Sequence, residues 1–169
     1  MAETMHLAEL NIGRLLAPVG DPKVAPFIYA IDRVNGLGKR MPGFVWMMEG
    51  SGEPGAAGGP GNTDVALGGD PQFISNLSVW EDAPSLEAFV WKTVHKQFYD
   101  RRHEWFEVFE ALHFVMWWVP AGHRPSLEEG LERLELLRSK GPSPDAFGWE
   151  SLGDAVMWKE MRCGATMEA

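Results

Sequence analysis

Residues 76–109 read NLSVWEDAPSLEAFVWKTVHKQFYDRRHEWFEVF, and this stretch decides the fold. It opens with five residues in which polar or aromatic side chains alternate with aliphatic ones: Asn76, Leu77, Ser78, Val79 and Trp80. Successive side chains of a strand point to opposite faces of a sheet. The alternation therefore predicts a strand with one apolar face and one mixed face.

A helix pattern follows directly. Asp82 can cap its N-terminus, Pro84 suits its first turn, and Glu87 places a negative charge near the positive end of the helix dipole. The spacing predicts a helical segment over residues 83–108, with a kink or split near residues 95–96, where polar residues cluster.

An aromatic stripe runs along this segment at intervals of three and four residues, which puts its members on one face if the helix is continuous. The members are Trp91, His95, Tyr99, Arg102 and Phe106. An imidazole, a phenol and a guanidinium in an aromatic lining are typical of a small-molecule pocket. Aromatic residues at this spacing are also typical of an ordinary core, with the arginine paired to acids on a solvated face.

Composition narrows the function classes. The chain has 169 residues, 45% of them hydrophobic, which fits one globular domain. Its net charge of -9 offers no basic field for nucleic acid or an anionic membrane. It has no membrane-length apolar run, and we expect no signal peptide. With the lone Cys163 and no possible intramolecular disulfide, we expect a cytoplasmic location. Eight tryptophans indicate a ligand cavity or an oligomer contact.

The rest of the chain supplies further strands and helices around a glycine-rich loop. The predicted strands are residues 5–12, 44–48, 73–80 and 112–119. The other predicted helices run from about residue 24 to 40 and from the Ser126 cap to the Gly141 stop. The glycine-rich loop covers residues 49–69. The loop has no Gly-Lys-Ser/Thr ending, so it does not match a phosphate-binding loop.

The order of these elements is strand, helix, strand, strand, helix, strand and an added helix. It predicts an α+β fold of the ferredoxin-like βαββαβ type with a C-terminal helix, in a domain over residues 1–148 followed by a tail over 149–169. Two helices cover one face of such a sheet. The bulky strands at 44–48 and 112–119 predict that a second subunit covers the other face, in a homodimer.

Several segments of the chain resemble the DUF3291 family. They are MHLAELNI (5–12), NLSVWE (76–81), AFVWKTVH (88–95), RRHEWF (101–106) and WWVPAGHRP (117–125), the last two being the most specific. The likeness covers residues 5–148. It implies a dimeric α/β barrel similar to the antibiotic-biosynthesis monooxygenases and the haem-degrading monooxygenases, with a pocket between the sheet and the helices of each subunit.

The resemblance also implies chemistry. Cofactor-free relatives oxidise or rearrange aromatic or polyketide-like substrates, which requires a base, a group that holds an enolate or phenolate, and an apolar cage. His95 is the candidate base, and Arg102 or Tyr99 would hold the oxyanion. Asn11 would orient a carbonyl group. The candidate substrate cage consists of Phe27, Trp46, Trp80, Trp91 and Phe106.

Haem is the alternative cofactor. The haem-degrading relatives use an Asn on the first strand, a Trp on the second helix and a His further along, for which this chain offers Asn11, Trp91 and His95. Trp91 and His95 are only four residues apart, closer than in that pattern. The helical register also puts Phe89, rather than Trp91, near the position of the relatives' Trp. His95 would then be the axial ligand.

Other ligand sets are weaker. His103 and His113 are secondary candidates for haem, and neither the pair His95 and His103 nor the pair His113 and His123 has a carboxylate partner at metal-ligand spacing. The leading hypothesis is a homodimeric, cofactor-independent monooxygenase or acid/base cyclase or isomerase of secondary metabolism, acting on a small apolar or aromatic metabolite. The remaining alternative is a non-catalytic ligand-binding or interaction module.

Overall fold

The computed structural model describes residues 3–49 and 69–153. Within these ranges the elements are β1 (Met5–Arg14), α1 (Ala25–Gly38), β2 (Phe44–Met47), β3 (Phe73–Trp80), α2 (Ala83–Lys92), α3 (Val94–Asp100), β4 (Phe114–Pro120) and α4 (Leu127–Lys140), with short 3-10 turns at Arg102–Glu104 and Trp149–Ser151. The class is α+β, as the sequence predicts. The glycine-rich stretch from 50 to 68 and the tail from 154, with Cys163, lie outside the described residues.

The four strands form one open sheet in the order β2-β3-β1-β4. All three neighbouring pairs are antiparallel. This order is consistent with the ferredoxin-like βαββαβ pattern. In the register of the central strand, Glu9 lies opposite Ser78 on one side and Met116 on the other, which puts these three side chains on the same face.

Local capping explains where two helices begin. The Asp82 carboxylate accepts a hydrogen bond from the Ser85 backbone N–H at 2.8 Å, and the Ser126 hydroxyl oxygen accepts one from the Glu129 N–H at 3.1 Å. Gly141 ends α4 in the left-handed region at φ 75°. These three features follow the sequence signals closely.

The helical segment after β3 is split at Thr93, two residues before the predicted break. Thr93 has extended backbone angles, φ -120° and ψ -176°. Its hydroxyl donates to the Phe89 carbonyl oxygen at 2.6 Å and accepts from the His95 N–H at 3.1 Å. One side chain thus closes α2 and starts α3, and the aromatic stripe does not lie along one continuous helix.

Each face of the sheet has its own helical cover. The first face carries Leu7, Trp80 and Met116 and packs against α2 and part of α1. The second face carries Leu10 and Trp117 among other apolar residues and packs against α4.

The fit of α4 on the second face is close. A Cβ added at Gly130 would lie 3.0 Å from a methyl carbon of Leu10, so glycine permits this approach. The chain's own C-terminal helix therefore covers part of the face that the sequence assigns to a second subunit.

The segment after α4 packs on the sheet. Phe147 exchanges backbone hydrogen bonds with Met116 at 2.8 and 2.9 Å, extending the sheet past β4. Trp149, which the sequence places in the tail, stacks on Phe114 with ring centroids 5.7 Å apart. No helix in residues 3–49 or 69–153 is both long and apolar enough to cross a membrane.

Candidate functional site

A buried carboxyl group lies on the first face of the sheet. Glu9 is only 5% exposed. The Ser78 hydroxyl donates to Glu9 Oε1 at 2.5 Å, and the indole N–H of Trp80 donates to Ser78 Oγ at 2.9 Å. The strand register brings these three hydrogen-bonded side chains together. Glu9 and Ser78 are directly opposed on neighbouring central strands, and Trp80 follows Ser78 two residues later on the same face.

Burial determines the charge of this carboxyl group. Burial raises the pKa of Glu9 from 4.5 to about 8, and the hydrogen bond from Ser78 only partly opposes that shift. Glu9 is therefore mostly protonated at neutral pH. A neutral carboxylic acid can donate a hydrogen bond or a proton, which an ordinary surface glutamate cannot do at pH 7.

Two aromatic rings connect this group to His95. Trp80 stacks on Phe89 with centroids 5.3 Å apart and an interplanar angle of 21°. Phe89 in turn contacts the His95 ring at 5.0 Å. The stack joins the sheet to the start of α3, so Glu9 and His95 lie at its two ends.

His95 is held in one tautomer. Its Nδ1 lies 3.2 Å from the Val90 carbonyl oxygen, and because a carbonyl can only accept, the ring proton lies on Nδ1. Burial lowers the pKa of His95, and the Val90 contact opposes this only in part. The imidazole is therefore neutral at pH 7, with the lone pair of Nε2 able to accept a proton.

Trp91, Tyr99 and Arg102 of the stripe form a separate group. Trp91 is buried and meets the edge of Tyr99 at 4.9 Å. Its indole nitrogen has no hydrogen-bond partner in the part of the chain that the structure describes. Arg102 is exposed, lies 4.1 Å above the Tyr99 ring, and donates from Nη1 to the Tyr99 carbonyl oxygen at 2.7 Å. Arg102 thus holds Tyr99 in place.

Three predicted site residues lie apart from the Glu9–His95 stack. Phe27 and Phe106 contact each other at 4.8 Å in the cluster around Leu15. Asn11 is exposed, although it shares the first face with Glu9.

Trp46, a predicted member of the substrate cage, lies on the second face of the sheet, opposite Glu9. It pairs with Val79 and packs with the second-face core, because a bulge between Phe44 and Trp46 shifts the strand register by one residue. The bulge sends Phe44 to the first face and Trp46 to the second.

The family is established by sequence. The model of the family described as "Domain of unknown function (DUF3291)" matches residues 6–163. The chain belongs to the DUF3291 family. No curated protein and no solved structure matches it. In this DUF3291 protein the match begins inside β1 and takes in every later element of the sheet.

Glu9 and Ser78 are not among the site residues that the sequence predicts. The signal was present, because Leu7, Glu9 and Asn11 alternate along the first strand and an acid between inward-facing positions is unusual.

Metal ligands do not converge in the part of this DUF3291 protein that the structure describes. Among residues 3–49 and 69–153, no group of three or more His, Cys, Asp or Glu side chains could hold a metal ion. His103 and His113 are both exposed, the former in the 3-10 turn after α3 and the latter just before β4.

Open grooves among the described residues lie outside the Glu9–His95 stack. One, of about 300 Å³, lies beside Trp118 and Phe147 at the edge of the sheet. The other, of about 420 Å³, is lined by Phe73 of β3 and by Arg138 in the last turn of α4. Neither groove is lined by Glu9 or His95.

Proposed function

We propose that this protein is a cytoplasmic small-molecule enzyme that isomerises or cyclises an apolar, aromatic or polyketide-like metabolite by acid/base catalysis without a cofactor. The observation that supports this most directly is the buried Glu9 carboxyl, hydrogen-bonded to Ser78 at one end of the Trp80–Phe89 stack. Environments that push the pKa values of two groups in opposite directions are typical of acid/base pairs.

Each group has a defined role in such a reaction. The neutral His95 imidazole accepts a proton at Nε2 from a carbon next to a carbonyl group. The protonated Glu9, two ring layers away, gives its proton to the oxygen of a conjugated carbonyl at the far end of an extended substrate, so that an extended enol forms while His95 becomes charged and Glu9 becomes a carboxylate. Reversal of both transfers at a different carbon, or attack of the enol on a second carbonyl, completes isomerisation or cyclisation.

The aromatic rings suit an extended apolar substrate. Trp80 and Phe89 are both buried and stack on each other, so they form an apolar surrounding for the acid and the base. The low polarity of that surrounding also maintains the shifted pKa values of Glu9 and His95, since burial is the larger cause of each.

The test is a substrate screen followed by matched variants. Aromatic and polyketide-like β-dicarbonyl compounds are screened for turnover, and Glu9→Gln and His95→Asn are compared with Tyr29→Phe, a control at an 84% exposed position. Loss of an acid or base should reduce kcat by ~100-fold or more. Full turnover by folded Glu9→Gln and His95→Asn would refute the acid/base assignment, whereas no turnover by the wild type across the screen would support a non-catalytic module.

Oxygen uptake separates the two reaction types. An isomerase or cyclase consumes no O2, whereas a monooxygenase of the kind implied by the resemblance consumes one molecule per turnover. Measurement with an oxygen electrode during turnover therefore decides between them, and stoichiometric uptake would refute the acid/base assignment.

We also propose the dimeric α/β barrel. Support comes from the second face of the sheet. There α4 covers the part formed by β1 and β4, whereas Val45 and Trp46, on the part formed by β2, are only partly buried. Light scattering after gel filtration should give twice 18.8 kDa. A mass of one chain at micromolar concentration would exclude the dimer.

Haem binding by His95 has one observation in its favour. The Nδ1 contact with Val90 leaves Nε2 available as a ligand. The imidazole ring, however, is half-buried and packs against Phe89 at 5.0 Å, so the residues as folded do not fit a macrocycle on that side of the ring. A haemin titration at the Soret band, with His95→Ala alongside, tests this alternative directly.

A further inference from the structure

The 420 Å³ groove lies on the second face of the sheet, away from Glu9. Ile12 of β1 and Phe73 of β3 form its floor, and both lie on the side opposite Glu9 in the strand register. Val108 and Phe109, from the segment before β4, form one wall. The groove is therefore a distinct surface whose occupation would not require the Glu9–His95 stack to open.

The wall is apolar and exposed. Val108 is 89% exposed, and the neighbouring Leu112 is 52% exposed. Phe109 stacks on Phe73 with centroids 6.0 Å apart and an interplanar angle of 11°, which gives the groove a flat aromatic side. Adjoining exposed apolar residues beside a concavity are typical of a binding surface.

Among the residues that the structure describes, Arg138 is the cation available at this groove. Arg138 donates from Nε to the Leu112 carbonyl oxygen at 2.7 Å, which fixes the guanidinium at the groove while its two Nη groups have no acceptor among the described residues. Arg14, which lies near Phe73, is already paired with Asp70 at 2.9 Å and with Glu107 at 2.5 Å. Arg138 is therefore the residue that can receive a carboxylate.

We propose that this groove, the Arg138 groove, binds a small amphipathic monocarboxylate, with its carboxylate on Arg138 and its apolar body on Val108, Phe109 and Phe73. A planar guanidinium suits a carboxylate because it can donate two parallel hydrogen bonds. Glu110 also lines the groove and disfavours a second negative charge, so a monoanion fits better than a dianion.

The test uses octanoate and its neutral counterpart octan-1-ol as probes on the full chain. Methyl resonances of Ile12 and Val108 in proton–carbon correlation spectra report both the position and the affinity of binding. Saturable shifts of both methyl groups are expected, with octanoate bound ~10-fold more tightly than octan-1-ol because of the charge-assisted contact.

Variants separate the charge from the fold. Arg138→Gln should reduce octanoate affinity to that of octan-1-ol while leaving octan-1-ol binding within ~2-fold, and Arg138→Lys should retain part of the preference. Val108→Asp, at an exposed position, should weaken binding of both probes. Equal loss of both probes in Arg138→Gln would show that Arg138 only supports the groove wall, and would overturn the proposal.

Two further outcomes also decide against it. No saturable shift at ~10 mM octanoate, or a preference that persists in Arg138→Gln, would refute carboxylate recognition. Movement of the Val108 resonances on dilution, together with a change in mass, would assign the groove to contact between two copies of the chain. Glu9→Gln should bind octanoate normally, so failure of this proposal is distinct from failure of the acid/base function.

Discussion

Replacement of Glu9 by Gln should change how stability depends on pH. The folded carboxyl holds its proton up to about pH 8, whereas the unfolded group loses it near 4.5. Because the folded pKa is the higher one, the stabilising effect of the proton is complete below pH 4.5 and is lost as pH rises through about 8. The wild-type free energy of unfolding should therefore fall with rising pH.

The expected slope follows from proton linkage. One proton bound only in the folded state gives a fall of about 1.4 kcal/mol per pH unit, and up to about 5 kcal/mol over the whole interval. Glu9→Gln keeps the size of the side chain and an acceptor for the Ser78 hydroxyl but cannot titrate. Its stability should lack this slope and should exceed that of the wild type most clearly near pH 8.

Urea unfolding followed by tryptophan fluorescence at pH 5.5, 6.5 and 7.5 measures the effect. The difference between wild type and Glu9→Gln cancels the contributions of the five histidines. A difference that increases by about 1 kcal/mol or more per pH unit is expected. Parallel pH profiles of the two proteins would refute the raised pKa of Glu9.

Three further predictions concern local features. Thr93→Ala should destabilise the fold by about 0.5–2 kcal/mol in urea unfolding because α3 loses its cap, whereas Thr93→Ser should retain most of the stability. Gly13→Ala should lower the free energy of unfolding by about 1–3 kcal/mol, because the new Cβ would lie 2.7 Å from Phe106. The control Gly20→Ala, where nothing lies within 4 Å of the new Cβ, should change it by about 0.5 kcal/mol or less. Equal effects of the two substitutions would contradict the packing of Phe106 on Gly13. His95 should titrate below its ordinary pKa of 6.5 in proton NMR. Its neutral form therefore favours folding, and this contribution to stability is complete above pH 6.5 and is lost as pH falls through the lower pKa of the folded state. A midpoint at the ordinary pKa would place the ring in water.

Much of the fold could be predicted from local patterns. The strand at residues 73–80 has the predicted bounds, because alternation and flanking turn residues specify both ends. Asp82 and Ser126 cap their helices as the sequence indicates, since capping depends only on residues three positions apart.

Features that depend on distant contacts could not be predicted. The bulge in β2 reverses the direction of Trp46, and simple alternation cannot reveal where a register shifts. The packing of α4 on the second face depends on the close approach at Gly130, which no periodicity indicates. The roles of His95, Tyr99 and Arg102 stay predictions, although the structure shows which neighbours each one contacts.

The site could be predicted only in part for a similar reason. His95 was singled out because an imidazole on an aromatic stripe is conspicuous in sequence. The shifted pKa of Glu9 arises from burial between two strands that are about 70 residues apart along the chain, since Glu9 and Ser78 are separated by 69 positions. Only the sheet register brings that pair together.

The most direct test is the pKa of Glu9 itself, measured by carbon-13 NMR of the side-chain carboxyl carbon, with Glu9→Gln used to assign the resonance. A midpoint near 8 would show a neutral carboxylic acid available as a proton donor at pH 7. A midpoint near 4.5 would show a carboxylate at neutral pH and would contradict acid/base catalysis by Glu9.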